Sequence, residues 1–514
     1  MFRALWTAQF VANIGTWAQL VGAQWLMGDL GGSDLAVALV QTAATLPVFL
    51  LVVPSGALGD ILDRRRLLLS GQSLMLVAAG ALAVLTATDA VTPGILLAFT
   101  AALGVGQALS APTFQAVQPE LVEPAELPAA ALLYGVNGNV GRAVGPALGG
   151  LLIALAGPEA AFALNAVSFL GVIAVLAAWR RELPERPLGA EGMVAAVMAG
   201  ARYVRSAPLF RAVLLRSAVF MMFAGALWAL LPVVARGPLG LGVGGYGLLL
   251  AAVGIGAVLG ALVVPAVRRR FGPGAVVSGG ALVYAAATVV VGSVSSPALA
   301  TGALVVSGVA WIAVLSTLNA AAQVALPEWP RARALAYYQL AFMGGQALGG
   351  ALWGAVAQAW STRAALVAVG VGIAVLEPAV RRWLPLRSAS PDVRSLRHLP
   401  LPPEVPKAPT GRVLVVSEWR VPAESAVEFA EAMTLVGQAR RRTGAQLWGL
   451  FQDLEDPESY LEVFTVSDWT EHLRQHLERG TAMDRDLEEA ARKLTVPGTE
   501  PRVRHLVLAA TARG

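Results

Sequence analysis

The sequence predicts an all-α transmembrane fold of twelve helices in two six-helix bundles, followed by a C-terminal α+β domain. Three observations carry that expectation. Of 514 residues only 14% are charged, 56% are hydrophobic and 54 are glycine, a balance that a water-soluble fold of this length does not tolerate. Twelve stretches are long and apolar enough to cross a hydrocarbon layer of about 30 Å. Arginine gathers in alternate connections between them, because cationic loops resist translocation.

The first six spans are expected near residues 5 to 28, 36 to 58, 66 to 88, 93 to 117, 129 to 156 and 159 to 179. The second six lie near 212 to 235, 245 to 267, 273 to 294, 298 to 325, 332 to 359 and 362 to 384. Met1, Phe2 and Arg3 lead into a segment flecked with Gln9, Asn13, Gln19 and Gln24, without a small-residue cleavage site, so it reads as a retained first helix. With a cytoplasmic N-terminus, the inner connections hold Arg64, Arg65, Arg66, Arg180, Arg181, Arg186, Arg202, Arg205, Arg268, Arg269, Arg270, Arg331, Arg333, Arg381 and Arg382, and the outer ones only Arg236 and Arg363. That asymmetry places both termini inside, as an even number of spans requires.

An internal repeat supports two halves. Gly56-Ala57-Leu58 with Arg64-Arg65-Arg66 recurs as Gly260-Ala261-Leu262 with Arg268-Arg269-Arg270. Gly145 with Ala147-Leu148-Gly149-Gly150 recurs as Gly345 with Ala347-Leu348-Gly349-Gly350. The expected organisation is a first bundle over 1–180, a connection over 181–211, a second bundle over 212–384, a proline-rich linker over 385–411 and a soluble domain over 412–514. Within the connection, residues 191 to 211 are too polar to span but amphipathic enough for a helix on the inner interface, strapping the halves together. In the tail, Val413 to Trp419 reads as a strand, Pro422 to Thr443 as a helix, Ala445 to Asp453 and Ser459 to Val466 as strands, Trp469 to Thr481 as a helix and Val503 to Leu508 as a last strand. The order β-α-β-β-α-β is ferredoxin-like.

Composition also narrows function. A net charge of +5 does not signal nucleic-acid binding here, because the arginines sit in short loops and not on one amphipathic face. Without cysteine, a disulfide, thiolate nucleophile or thiolate metal site is excluded. A nucleotide loop of the G-x-x-x-x-G-K type is absent, so ATP is not a direct energy source, and nothing calls for a cofactor.

Gly56-Ala57-Leu58-Gly59-Asp60-Ile61-Leu62-Asp63-Arg64-Arg65-Arg66 joins the second and third spans. A positive-inside loop would explain its arginines but not Asp60 with Gly56. It resembles the loop signature of the major facilitator superfamily, in which glycine precedes aspartate by four residues and a basic cluster follows; Ile61 and Asp63 stand where the family often has arginine and glycine. The resemblance implies a conformational latch between the halves made by Gly56, Asp60, Arg64, Arg65 and Arg66. In the fifth span, Gly141, Gly145, Pro146, Gly149 and Gly150 fit G-x-x-x-G-P-x-x-G-G, a pattern that the superfamily's exporters tend to carry. Glycines at i, i+4 and i+8 make a smooth ridge and Pro146 removes a backbone hydrogen bond. Ala252, Gly256 and Gly260 of the eighth span form a similar ridge, expected to be its packing partner.

Arg142 falls mid-span, where an ionised side chain costs several kcal/mol unless it faces water or a partner. It is the leading candidate for a substrate pathway, with Asn13, Gln107, Gln115, Asn137, Asn139, Asn165, Asn319, Gln323, Gln339 and Gln346 as polar groups that line the same cavity or act as helix-packing hydrogen bonders. A buried cation points to an anionic substrate or an internal carboxylate partner, yet no Asp or Glu is read deep in a span. Asp29 and Asp34 at the outer edge, and Asp60 and Glu120 at the inner edge, are the candidates for proton coupling.

Along its length the chain resembles the transmembrane secretion effector family, the branch of the superfamily that includes bacterial enterobactin exporters. Arg440-Arg441-Arg442-Thr443-Gly444-Ala445 with Trp448, and Ser467-Asp468-Trp469-Thr470-Glu471-His472-Leu473-Arg474-Gln475-His476, carry part of this likeness in the tail, which is similar to dimeric antibiotic-biosynthesis-monooxygenase-like domains. The resemblance implies export of a siderophore, antibiotic or related small molecule from the bacterial inner membrane, coupled to protons, with a homodimer contact through the tail. His472 and His476, at i and i+4, are weak metal candidates for want of a third ligand. Rival readings make the tail an enzyme acting on the transported metabolite, or a ligand sensor that gates transport.

Overall fold

The computed structural model describes residues 1–123, 126–179, 193–327, 331–386 and 411–508, with side chains at several positions between 52 and 61, 115 and 143, 193 and 199, and 331 and 333 outside that description. Most of the expected linker over 385–411 and part of the connection over 181–211 therefore lie outside the described residues, as do the side chains of Gly56, Asp60, Gln115 and Asn139.

The first half is built from α1 (Phe2–Asp29), α2 (Asp34–Ile61), α3 (Arg64–Ala87), α4 (Pro93–Leu121) and α5 (Leu127–Ala178). Starts are set by side chains that take up the free N–H groups of a first turn. Ser33 accepts from the Ala36 N–H, Asp63 from Arg65 and Thr92 from Ile95, with Pro93 pre-set for the first helical position. At 1.5 Å per residue α5 would be about 78 Å long, far more than one crossing needs. It breaks at Gly157, whose φ of 80° is a left-handed conformation that side chains resist, and Pro158 follows.

After α6 (Met193–Ser206), the second half comprises α7 (Pro208–Arg236), α8 (Val243–Ser293), α9 (Pro297–Val324), α10 (Arg331–Ala359) and α11 (Thr362–Trp383). α8 repeats the device of α5, breaking at Gly272 with φ 78° before Pro273. Among the described residues nine helices are long and apolar enough to cross a membrane.

The chain divides into two compact units, one of Met1–Met193, Ala212–Ala321 and Ala336–Ser388, the other of Val194–Arg211, Ala322–Leu335 and Ala389–Gly514. The connection helix thus belongs to the same unit as the tail. In the tail, β1 (Val413–Arg420), α12 (Ala426–Thr443), β2 (Leu447–Gln452), β3 (Ser459–Val466), α13 (Trp469–Leu477), α14 (Ala482–Arg492) and β4 (Arg502–Val507) follow in order. The strands form an antiparallel sheet in the order β2-β3-β1-β4. The second helix expected over 469 to 481 ends at Leu477 as α13, and a further helix, α14, follows it. Thr481 caps α14 by accepting from the Asp484 N–H while the Asp484 carboxylate accepts in return, and this capping box starts a new helix where one was expected to end. Val413, Val415, Phe464 and Val466 pack with Trp469 under one face of the sheet.

Candidate functional site

The fifth-span glycines bring α5 onto α1. A methyl group at Gly141 would lie 3.0 Å from Cβ of Asn13, one at Gly145 2.6 Å from Cβ of Trp17, and one at Gly149 2.5 Å from Cα of Ala18. Such spacing is open only to glycine, and it draws the two backbones together. The repeat reproduces this in the second half, where Gly345 meets Ala218 and Gly349 meets Met222 of α7. The last glycine of each motif crosses to the other half, Gly150 against Gly247 of α8 and Gly350 against Thr42 of α2. The ridge expected to receive α5 is engaged elsewhere: Gly256 and Gly260 pack on Val305, Gly308 and Val309 of α9. The eighth span does meet α5, at Gly244 and Gly247, but its Gly256 and Gly260 face is turned to α9, because a smooth face allows close approach without selecting the neighbour.

Arg142 stands one residue past Gly141, and its guanidinium lies over the Trp17 ring with Cζ 5.4 Å from the centroid, within cation–π range. Its Nε is buried without a hydrogen-bond partner among the described residues. Trp17 leads into an aromatic series, 6.0 Å from Trp228 of α7, which is 5.4 Å from Trp311 of α9. Phe220 and Tyr284 continue it. The Trp311 indole N–H is buried and unpartnered among the described residues. Sequence reading missed these tryptophans, because an apolar ring in an apolar helix carries no local sign of facing a cavity.

Asn13 donates to Asn137 at 2.6 Å, and Asn137 donates to the Trp6 carbonyl. Asn165 donates to Gln19 and its carbonyl oxygen accepts from Ser168. These polar groups tie α1 to α5. Gln346 is buried on α10, where Gly225 of α7 passes, and Gln339 is half-buried. Gln107, Asn319 and Gln323 are exposed. The candidates are therefore spread over α1, α4, α5, α9 and α10, and the described contact of Arg142 is with Trp17.

Among the described residues, hydrogen bonds between the halves lie toward the end formed by the C-termini of α1, α7 and α10 and the N-termini of α2 and α8. Tyr246 donates to Gln24 at 2.6 Å, Gln24 to the Trp228 carbonyl, Ser33 to Gln358 and Thr42 to the Ala347 carbonyl. Arg236 pairs with Asp29 at 2.9 Å and covers the Trp25 ring at 4.3 Å, while Asp34 accepts from Thr362. At the opposite end, Arg64 pairs with Glu120 at 2.8 Å, Arg65 donates to the carbonyls of Leu176 and Ala177, and Arg66 stays exposed near Asp63. These described contacts of the basic cluster tie α3 to α4 and α5 within the first half.

Sequence reading did not single out Glu377 of α11, a buried carboxylate toward the end of its span. It is only 9% exposed and lies 2.6 Å from Arg216 of α7. Arg216 donates further to Ser278 and to the Leu384 carbonyl. A charge deep in a bundle is tolerable when paired and hydrogen-bonded. The two residues stand near the ends of spans far apart in sequence, so neither announced the pair.

In the tail, the rings of His472, His476 and His505 cluster, with centroids 4.6 and 4.9 Å from His472. Among the described residues no group of three or more His, Cys, Asp or Glu could hold a metal ion. Burial, reinforced by His476, pushes His472 down to about 3, against the raising effect of the hydrogen bond that His472 Nδ1 donates to Gln475 Oε1. Since this folded value lies below the ordinary 6.5, its stabilising effect is complete above 6.5 and is lost as pH falls toward 3. We expect tail stability to fall below pH 6.5 with up to about 1.4 kcal/mol per pH unit from this group. His472→Phe should flatten that slope in amide exchange of β1 and β3.

Long apolar helices in two repeated halves define the class of a polytopic helical membrane protein. Residues 1–513 match the transmembrane secretion effector family, and the chain belongs to that family. It is 29% identical over 215 residues to the multidrug efflux pump Tap of Mycolicibacterium fortuitum, covering 40% of this chain and 52% of that one. It is 25% identical over 177 residues to the staphyloferrin A transporter of Staphylococcus aureus, covering 34% and 44%. The chain thus spans about half the length of these two relatives. To the enterobactin exporter EntS of Salmonella choleraesuis it is 24% identical over 385 residues, covering 73% of this chain and 90% of that one. Among solved structures, a POT family transporter in complex with 5-aminolevulinic acid shares the fold with a TM-score of 0.60 at 14% identity, covering 75% of this chain and 96% of that one. A bacterial homolog of the lysosomal transporter Spinster, inward-facing and unoccupied, matches with 0.57 at 17%, covering 76% and 98%.

Proposed function

We propose that this chain is a secondary active exporter of small aromatic anions, such as siderophores, antibiotics or related metabolites, working by alternating access in a bacterial inner membrane. The carrying observation is Arg142, a mid-span cation over the Trp17 ring with a buried Nε that has no partner among the described residues, at the head of the Trp17, Trp228 and Trp311 series. A cation beside flat rings favours a ligand that is both negative and aromatic. Counting α5 and α8 as two crossings each and adding α1 brings the nine apolar helices to twelve, with both termini cytoplasmic by the arginine pattern. The hydrogen bonds gathered at the outer ends then support an inward-open state, with rocking of the halves about the Arg142 level. The multidrug efflux pump Tap and the enterobactin exporter EntS, both similar to this chain, support the outward direction. The test is transport into inside-out vesicles with a metabolite panel, with and without a proton gradient. Uptake of aromatic anions that collapses with the gradient is expected, and gradient-independent equilibration would remove the coupling.

The tail is read as a ferredoxin-like domain, a reading supported by the strand order β4-β1-β3-β2, and as the site of a homodimer contact. Support for dimerisation comes from the sheet face away from the core, where Leu447 is 64% and Phe451 58% exposed and half-buried Leu461 pairs in register with Phe451. A contiguous apolar patch on a sheet calls for cover, and a second copy of the same face would supply it. Phe451→Lys should raise the dimer dissociation constant at least about tenfold, read as a shift to monomer in light scattering of the purified protein. An unchanged mass distribution would count against this contact.

A further inference from the structure

Within the unit that contains the tail, a cavity of about 220 Å³ opens between the connection helix and the soluble domain. One wall is made by Tyr203 at the end of α6 and by Phe210 at the start of α7, whose rings meet edge to face at 6.4 Å. The other wall is made by Leu435 of α12 and by Met483 and Leu487 of α14. None of these residues belongs to the Arg142 group.

The polar side chains at the rim are mostly committed. Tyr203 donates its hydroxyl hydrogen to the Ala325 carbonyl at 2.9 Å, Arg442 is paired with Asp484, and Thr481 is engaged in capping α14. Gln438 adds an exposed amide at the rim. An anion would have to compete with Asp484 for Arg442 and a cation would meet no free carboxylate, so the chamber suits a neutral molecule. Its walls of aromatic rings, leucines and a thioether favour an aromatic one. Size narrows the class further. An apolar cavity of about 150 Å³ takes benzene, whereas whole drug-sized ligands need about 300–1,000 Å³.

We propose that this cavity is a binding site for a neutral aromatic molecule of one or two rings, and that its occupancy holds the connection helix against the tail. The second part rests on where the walls come from. The ligand would bridge Tyr203 of α6 to α12 and α14, beside the ion pair that Arg202 of α6 makes with Glu471 of α13 at 3.0 Å. Glu471 is itself fixed by two hydrogen bonds from Arg479, at 2.7 and 2.9 Å, so α6 already has one rigid anchor on the tail. A ligand in the adjoining chamber adds a second, and a ligand that binds one arrangement better shifts the population toward it. The proposal does not depend on the direction or substrate of transport.

The test uses the full-length protein in nanodiscs, with a benzyl alcohol bearing a trifluoromethyl-diazirine as photoprobe and indole as competitor. We expect crosslinks on peptides carrying Tyr203 to Phe210 and Leu435 to Arg442, reduced about tenfold by saturating indole. Leu435→Trp should abolish them by filling the chamber from a position already half exposed, and Ala207→Phe should do so from the facing wall. Amide exchange over residues 200–206 should slow when indole is added. Labelling that ignores indole and both substitutions, or that only phosphatidylglycerol displaces, would overturn the site. Site-specific labelling with unchanged exchange over 200–206 would overturn the hold on α6.

Discussion

Arg142→Ala should lower the initial rate of substrate uptake into inside-out vesicles about a hundredfold while the protein still inserts and folds. Truncating one partner of a desolvated charge pair costs about 2–5 kcal/mol, and each 1.4 kcal/mol is a factor of ten. The same change should not lower the melting temperature. Arg142 is held in a low-dielectric region with a buried Nε that no described group satisfies, so in the empty protein its charge opposes folding and is retained at a cost in stability. Arg142→Lys should recover part of the rate, because it restores the charge but not the guanidinium that lies over the Trp17 ring. Efflux at the wild-type rate from Arg142→Ala would remove this residue from the pathway, and a large fall in melting temperature would make it a structural residue instead.

Glu377→Leu should have the opposite profile, with a large loss of stability from a residue outside the aromatic series. Removing the carboxylate leaves Arg216 as a buried cation, with Ser278 and the Leu384 carbonyl as its remaining described acceptors. Breaking a buried pair from one side costs about 3–5 kcal/mol. The double variant Arg216→Met with Glu377→Leu should regain most of that loss, since replacing both charges by apolar groups is often neutral or favourable. Unfolding in mixed detergent micelles would measure both. Equal stability of Glu377→Leu and wild type would show that the pair contributes nothing, and failure of the double variant to recover would place the effect in packing around α7 and α11.

The two predictions separate what could be read along the chain from what could not. Arg142 was visible because a lone arginine in an apolar span is anomalous wherever its neighbours are. Glu377 and Arg216 each sit within a few residues of a span boundary, where a charge is ordinary, and their pairing across 161 residues leaves no local trace. The same holds for Trp17, Trp228 and Trp311. Large rings are frequent in membrane helices, and their convergence beside Arg142 depends on how α1, α7 and α9 are turned. Asn13, Asn137 and Asn165 were legible as polar groups within spans, but only the folded chain distinguishes those that tie α1 to α5 from those exposed on α4 and α9.

Properties that follow from short-range chemistry were settled by the amino-acid order alone. Apolar runs of span length, Ser33, Thr92 and Ser361 as caps, Gly157-Pro158 and Gly272-Pro273 as breaks, and the repeated small-residue motifs all act within a few turns of themselves. The choice of partner for each smooth face belonged to the tertiary structure. Gly141, Gly145 and Gly149 could have received any helix without bulky obstruction, and α1 was taken, while Gly256 and Gly260 went to α9. A glycine ridge lowers the cost of approach equally for every neighbour, so the selection comes from the packing of all the helices together, which local periodicity does not carry.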